Sequence, residues 1–247
     1  MDFARRVIST MRRATITLAM LAVLLMALAG PGARLGLWSF GTGFDVLRWG
    51  AYLGFAAGAA ALVQLVVPRW RAAGAWPLIL ALALGVLAAG VPWVWQRRAE
   101  TVPPIHDIST DTDDPPAFVA VLPLRADAPN PAAYGGPEVA AAQAQAYPDI
   151  RPLVLPATTP AELFPRARAA ARAAGWAIVA ADSAAGRIEA TATTGWFGFQ
   201  DDVVIRIRPE GTGSRLDARS VSRLGTSDVG TNARRIRAYL ASLAGGE

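Results

Sequence analysis

The chain is 247 residues long, with no cysteine and one histidine, His106, which excludes disulfides, thiolate sites, a histidine-based triad and a multi-histidine zinc site within one chain. Its net charge of +5 is unevenly placed: residues 1–98 hold ten arginines and two aspartates, a net +8, while residues 99–247 hold fourteen arginines and seventeen acids, a net −3. The acidic half gives no support to nucleic-acid binding, and the basic excess reads as membrane topology.

Three uncharged runs open the chain, between Arg13 and Arg34, Arg48 and Arg69, and Arg71 and Arg97. They are 20, 20 and 25 residues long. About twenty apolar residues cross a hydrocarbon core at the helical rise of about 1.5 Å per residue. Trp38, Trp49, Trp70, Trp76, Trp93 and Trp95 lie near the ends of these runs, where an amphipathic indole prefers the headgroup level. A soluble helical bundle would need polar faces that these runs lack.

Arg5, Arg6, Arg12, Arg13, Arg69 and Arg71 fall on one side of the resulting three-span topology; Arg34, Arg48, Arg97 and Arg98 fall on the other. The bias predicts a cytoplasmic N-terminus and a C-terminal half outside the cytoplasm. The alternative is a signal peptide cleaved near Ala27-Leu28-Ala29; two spans would remain, and the C-terminal half would still finish outside. Well inside the spans, Gln64 is the one strongly polar side chain, suited to bonding a neighbouring helix. Gly54-x-x-x-Gly58 and Gly85-x-x-x-Ala89 permit close helix approach, more readily within the chain than between copies.

Residues 99–116 shift to Pro, Asp and Thr and read as a linker holding the domain off the bilayer. The competing reading is a divalent-cation cluster of Asp107, Asp111, Asp113 and Asp114, whose spacing lacks the calcium-loop pattern. From residue 117 to 247 we expect one extracytoplasmic α+β domain. Phe118–Leu122 and Leu153–Leu155 are candidate short strands, and Pro137–Ala146 a short helix. Thr159-Pro160-Ala161-Glu162 is a capping box that starts a helix stopped by Gly175. Four strands follow at Trp176–Ala181, Arg187–Thr194, Val203–Arg208 and Arg215–Arg223, then a helix from about Val229 to Leu243. Ile188, Ala190, Ala192, Val203, Ile205, Ile207, Leu216 and Ala218 alternate onto one face. The expectation is an antiparallel four-stranded meander with helices packed on that face.

Several motifs carry a resemblance. They are Ile105–Asp111, Ala146–Asp149, Gly186–Ala190, Trp196-Phe197-Gly198-Phe199-Gln200-Asp201-Asp202 and Arg219–Ala233. In this order they resemble the domain-of-unknown-function 1499 family over roughly residues 100–243, in a membrane-anchored bacterial form. The resemblance implies the domain and carries no activity, cofactor or catalytic residue with it.

The candidate ligand-binding residues are Arg223, Asp228, Asn232, Arg235, Asp201, Asp202 and Trp196. Arg223, Asn232 and Arg235 near a helix N-terminus can hold an anion, or the same stretch can form a polar clasp between hairpin and helix. Trp196 and Phe199 can meet a ligand, lipid or partner, or fold back over the open edge of the core. An enzyme would use Asp201 and Asp202 as acid and base with Ser220 or Ser222 as nucleophile. Adjacent strand residues face opposite ways, however, and no histidine or lysine is placed to activate a serine. The expectation is an inner-membrane protein with a periplasmic, non-catalytic module, without cofactor or metal. It would bind an envelope protein or a small anionic ligand; the alternative is a periplasmic carboxylate enzyme.

Overall fold

The computed structural model describes residues 2–71 and 74–245. Residues 72 and 73, at the start of the third uncharged run, and 246 and 247 lie outside the described residues. The chain divides into two compact units: residues up to Arg98 with Gly195–Gly198, and the remainder from Ala99.

The first unit contains α1 (Asp2–Arg34), α2 (Phe40–Val66), a single turn α3 (Pro68–Arg71) and α4 (Trp76–Glu100). Three of these helices are long and apolar enough to cross a membrane. Gly36, at φ 72°, ends the turn after α1, and the Ser39 hydroxyl caps α2 by accepting from the Thr42 amide at 3.1 Å. A Cβ on Gly85 would lie 2.6 Å from the Gly54 carbonyl oxygen and 2.7 Å from the Gly58 amide nitrogen. The two small-residue motifs therefore face each other across α2 and α4. Gln64 of α2 donates to the Thr15 hydroxyl of α1 at 2.6 Å, so this buried amide is bonded between helices.

The second unit is α+β, built on a six-stranded antiparallel sheet instead of four strands. Strands β3 (Ala177–Asp182), β4 (Arg187–Thr193), β5 (Gln200–Glu210) and β6 (Gly213–Ser222) form the expected meander. The two additional strands are β1 (Asp107–Ser109) and β2 (Leu153–Leu155), which share the outer edge of β6. Between their pairings, the Thr110 amide donates to the Ala218 carbonyl, and the Thr110 hydroxyl accepts from the Ala218 amide, each at 2.9 Å. Asp107–Ser109, expected in the linker, is thus part of the sheet.

Helices α5 (Pro137–Ala146), α6 (Pro160–Ala173) and α7 (Thr231–Ala244) complete the unit. The Thr159–Glu162 capping box is formed in both directions. The alternating face packs with Leu163, Phe164, Ala167, Ala171, Ile236 and Tyr239 into one core. The opposite face is covered as well. Phe118 and Val121 pack on Val204 and Val221, and Glu189 accepts the Val119 and Val121 amides at 3.0–3.1 Å. Phe118–Leu122 is therefore irregular backbone running into a 3-10 helix, Leu122–Arg125; its amides bond a buried carboxylate instead of a neighbouring strand.

Outer strand β1 is closed by a side chain. Gln143 of α5 accepts from the Ser109 amide at 2.9 Å and donates to the Ser109 carbonyl at 2.6 Å. A primary amide thereby supplies the two bonds that a further strand would have made.

Candidate functional site

Strand alternation sends the adjacent Asp201 and Asp202 to opposite faces of β5. On the helical face, Asp201 is bonded to Arg235 of α7 at 2.5 Å. Arg235 also donates to the Asn232 side-chain oxygen and, at 3.0 Å, to the Ser220 hydroxyl. Ser220 in turn donates to Asn232 at 2.7 Å. The Asn232 amide group donates to the Ser222 hydroxyl and the His106 carbonyl, each at 3.0 Å. Asp201, Ser220, Ser222 and Asn232 are buried, so this is an enclosed network and neither serine touches a base.

Asp228 closes the start of α7. Its carboxylate accepts from the Gly230 amide at 2.8 Å and the Asn232 amide at 2.6 Å. Burial holds its pKa above the usual carboxylate range, outweighing those two bonds, and Asp201 adds to the rise. The turn before the helix places Val229 at φ 51° and Gly230 at φ 71°.

On the opposite face, Asp202 is fully buried and receives Arg223 through two bonds of 2.9 and 2.8 Å. The Thr191 hydroxyl donates to it at 2.8 Å, and Arg125 Nη1 stands 3.3 Å away. Arg219 grips Asp107 with bonds of 2.9 and 2.7 Å. The Phe118 ring meets two guanidiniums, that of Arg125 at 5.6 Å and that of Arg219 at 5.1 Å. Burial lowers the Arg125 pKa; burial, reinforced by Asp107, pushes the Tyr134 phenol up to about 12. Further along the sheet, Arg206, Arg208 and Arg215 share Asp111 and Asp217, and the first two also reach Asp114. The aspartates read as linker or cation ligands are thus largely engaged by sheet arginines: Asp107, Asp111 and Asp114. Among the described residues no group of three or more His, Cys, Asp and Glu converges on a point that could hold a metal ion.

The fold brings together Asp201, Asn232 and Arg235, with Asp228 alongside. It separates Arg223, which faces the other way with Asp202, so Arg223 and Arg235 do not share an anion cradle. Trp196 belongs to the first compact unit, half-exposed, beside Phe197, whose ring stacks on Phe44 at 4.9 Å. Neither Trp196 nor Phe199 is part of the domain core. Arg125, Gln143 and Glu189 are central to these networks and carry no local sequence signature. Each is recognisable only from partners tens of residues away.

Charge pairing of this kind holds a covering segment and a helix onto two faces of one sheet; the class defined is a membrane-anchored α+β domain. Residues 107–243 match the family described as "Protein of unknown function (DUF1499)", more than half of the chain, and the chain belongs to that family. A search of curated proteins finds no match.

Proposed function

We propose that this is a three-span inner-membrane protein that presents its C-terminal domain in the periplasm as a non-catalytic module binding an envelope partner or a small ligand. The arginine bias toward the N-terminus and the α2–α4 loop supports the orientation. The observation that carries the non-catalytic reading is the engagement of both candidate carboxylates. Asp202 is fully buried under Arg223 and Arg125, and Asp201 is locked to Arg235. An acid or base must come within hydrogen-bond reach of its substrate, and neither carboxylate is free to do so. Separate fusions of alkaline phosphatase and a cytoplasm-active fluorescent protein to residue 247 test the orientation. Phosphatase activity with a dark fluorophore is expected; the reverse pattern overturns it.

A further inference from the structure

The β4–β5 connection runs from Thr194 to Phe199, and its base is closed twice. The Thr194 amide donates to the Phe199 carbonyl at 2.8 Å, and the Phe199 amide donates to the Thr194 hydroxyl at 2.9 Å. Its tip is Gly195-Trp196-Phe197-Gly198. Tips of strand connections are ordinarily built from Gly, Asn, Asp, Ser and Pro. Two adjacent large aromatics at this one call for an apolar environment.

Part of that environment is the helical unit to which the tip belongs. The Trp196 indole lies on α1 at Gly30, where an added Cβ would come within 2.8 Å of three ring atoms. Arg34, at the end of α1, donates to the Gly195 carbonyl. Phe197 is buried, with its ring stacked on Phe44 in the second turn of α2. These contacts fix a depth. Gly30 and Arg34 are four residues apart, so the indole stands about 6 Å along α1 from its basic end. Both helices are long and apolar enough to cross a membrane, and the basic end of such a helix marks the headgroup level. Trp196 therefore falls at the boundary of headgroups and acyl chains, the level an indole prefers.

The remainder of the ring is uncovered. Trp196 is 41 % exposed, and on the same two helix ends Leu28, Leu35, Leu37 and Phe44 are exposed as well. From residue 28 to residue 44 the one charged side chain is Arg34. A water-facing turn between helices would be polar. This surface instead continues the apolar sides of two membrane-length helices, and that continuity selects lipid as its partner.

We propose that the Trp196–Phe197 tip is an interfacial lipid anchor. Trp196 sits among the glycerol and upper acyl groups of the bilayer and gives the C-terminal domain a second attachment to the membrane, besides the α4–β1 connection. This goes beyond the binding-module reading and rests on its membrane spans alone.

The test uses the full chain in phosphatidylcholine nanodiscs. The photoreactive aromatic p-benzoylphenylalanine replaces Trp196, Leu87 or Val154 in separate variants. Leu87 is exposed midway along α4, and Val154 is exposed on β2. After irradiation, adducts are mapped by mass spectrometry. Positions 196 and 87 should each carry phosphatidylcholine at least about tenfold more often than position 154, the occupancy that burial of an aromatic ring in lipid supports. Lipid on position 87 with position 196 joined only to α1 or α2, or lipid equally on 196 and 154, overturns the anchor. Lipid on neither 196 nor 87 overturns the spans themselves, so the two failures are distinct. Amide hydrogen exchange supplies a second measurement in the same nanodiscs. Trp196→Asp should speed exchange at residues 195–198 at least about tenfold, and Trp196→Tyr, which keeps an amphipathic ring, should hold it near the wild-type rate. Unchanged exchange in the aspartate variant overturns the proposal.

Discussion

Asp201 and Asp202 are neighbours on β5 whose charges are neutralised on different layers: Asp201 by Arg235 of α7 at 2.5 Å, Asp202 by Arg223, the residue after β6, at 2.8 Å. Two adjacent residues thus bind a helix to one face of the sheet and a covering segment to the other.

Asp202→Asn should cost about 3–5 kcal/mol, because it strands the buried Arg125 and the half-buried Arg223 without a counter-charge. Urea unfolding of the purified protein measures this. Unchanged stability combined with a lost cellular phenotype would favour a catalytic carboxylate.

Arg223 should be coupled to Asp202 and not to Asp228. The double change Arg223→Ala with Asp202→Asn should cost at least about 1 kcal/mol less than the two single losses added. Arg223→Ala with Asp228→Ala should be additive within about 0.5 kcal/mol. Strong coupling in the second cycle would reinstate a hairpin-to-helix clasp through Asp228.

The raised pKa of Asp228 sets a pH dependence of definite sign. A carboxyl whose folded value exceeds its unfolded one contributes stability that is complete below the unfolded value and lost as pH rises through the folded value. Asp228→Asn removes this titration. The stability of the wild type minus that of the variant should therefore fall from about pH 4 upward. A flat or rising difference would contradict the assignment.

Gln143→Ala leaves both backbone groups of Ser109 without their partners and should destabilise by about 2 kcal/mol or more. Gln143→Glu retains an acceptor for the Ser109 amide but opposes its carbonyl with a second oxygen, so it should not rescue. Hydrogen exchange at Ser109 reports the loss directly.

Gly85→Leu should disrupt the α2–α4 seam, where its Cβ would meet Gly54 and Gly58 backbone; Gly90→Leu, on the same helix with open space around it, should be tolerated. Thermal melting in detergent separates the two, and equal effects would refute the seam.

The sequence was most legible where a pattern repeats. Long apolar runs mark the three helices, and period-two alternation marks β4 to β6. Leu153–Leu155, read as a short strand, is β2; β1, three residues inside a Pro- and Asp-rich stretch, is too short for any periodicity to register. The linker reading of residues 107–114 failed because Pro and Asp composition resembles a spacer. Those aspartates are held by arginines about a hundred positions away, such as Arg219 for Asp107. Period-two alternation sets Arg223 on the face opposite Ser220 and Ser222, where the fold has it. Its partner was less evident, because local spacing favours Asp228 while the fold delivers Asp202.

The placement of β6 has a kinetic consequence. It pairs with β1, β2 and β5, and β1 precedes it by more than a hundred residues. Contacts that distant in sequence demand loop closure before they return any energy, which slows folding. Until β6 is made, two short segments and one flank of β5 have nothing to zip onto. A chain truncated before Gly213 should therefore emerge as a substrate for proteases, not as a smaller version of the domain.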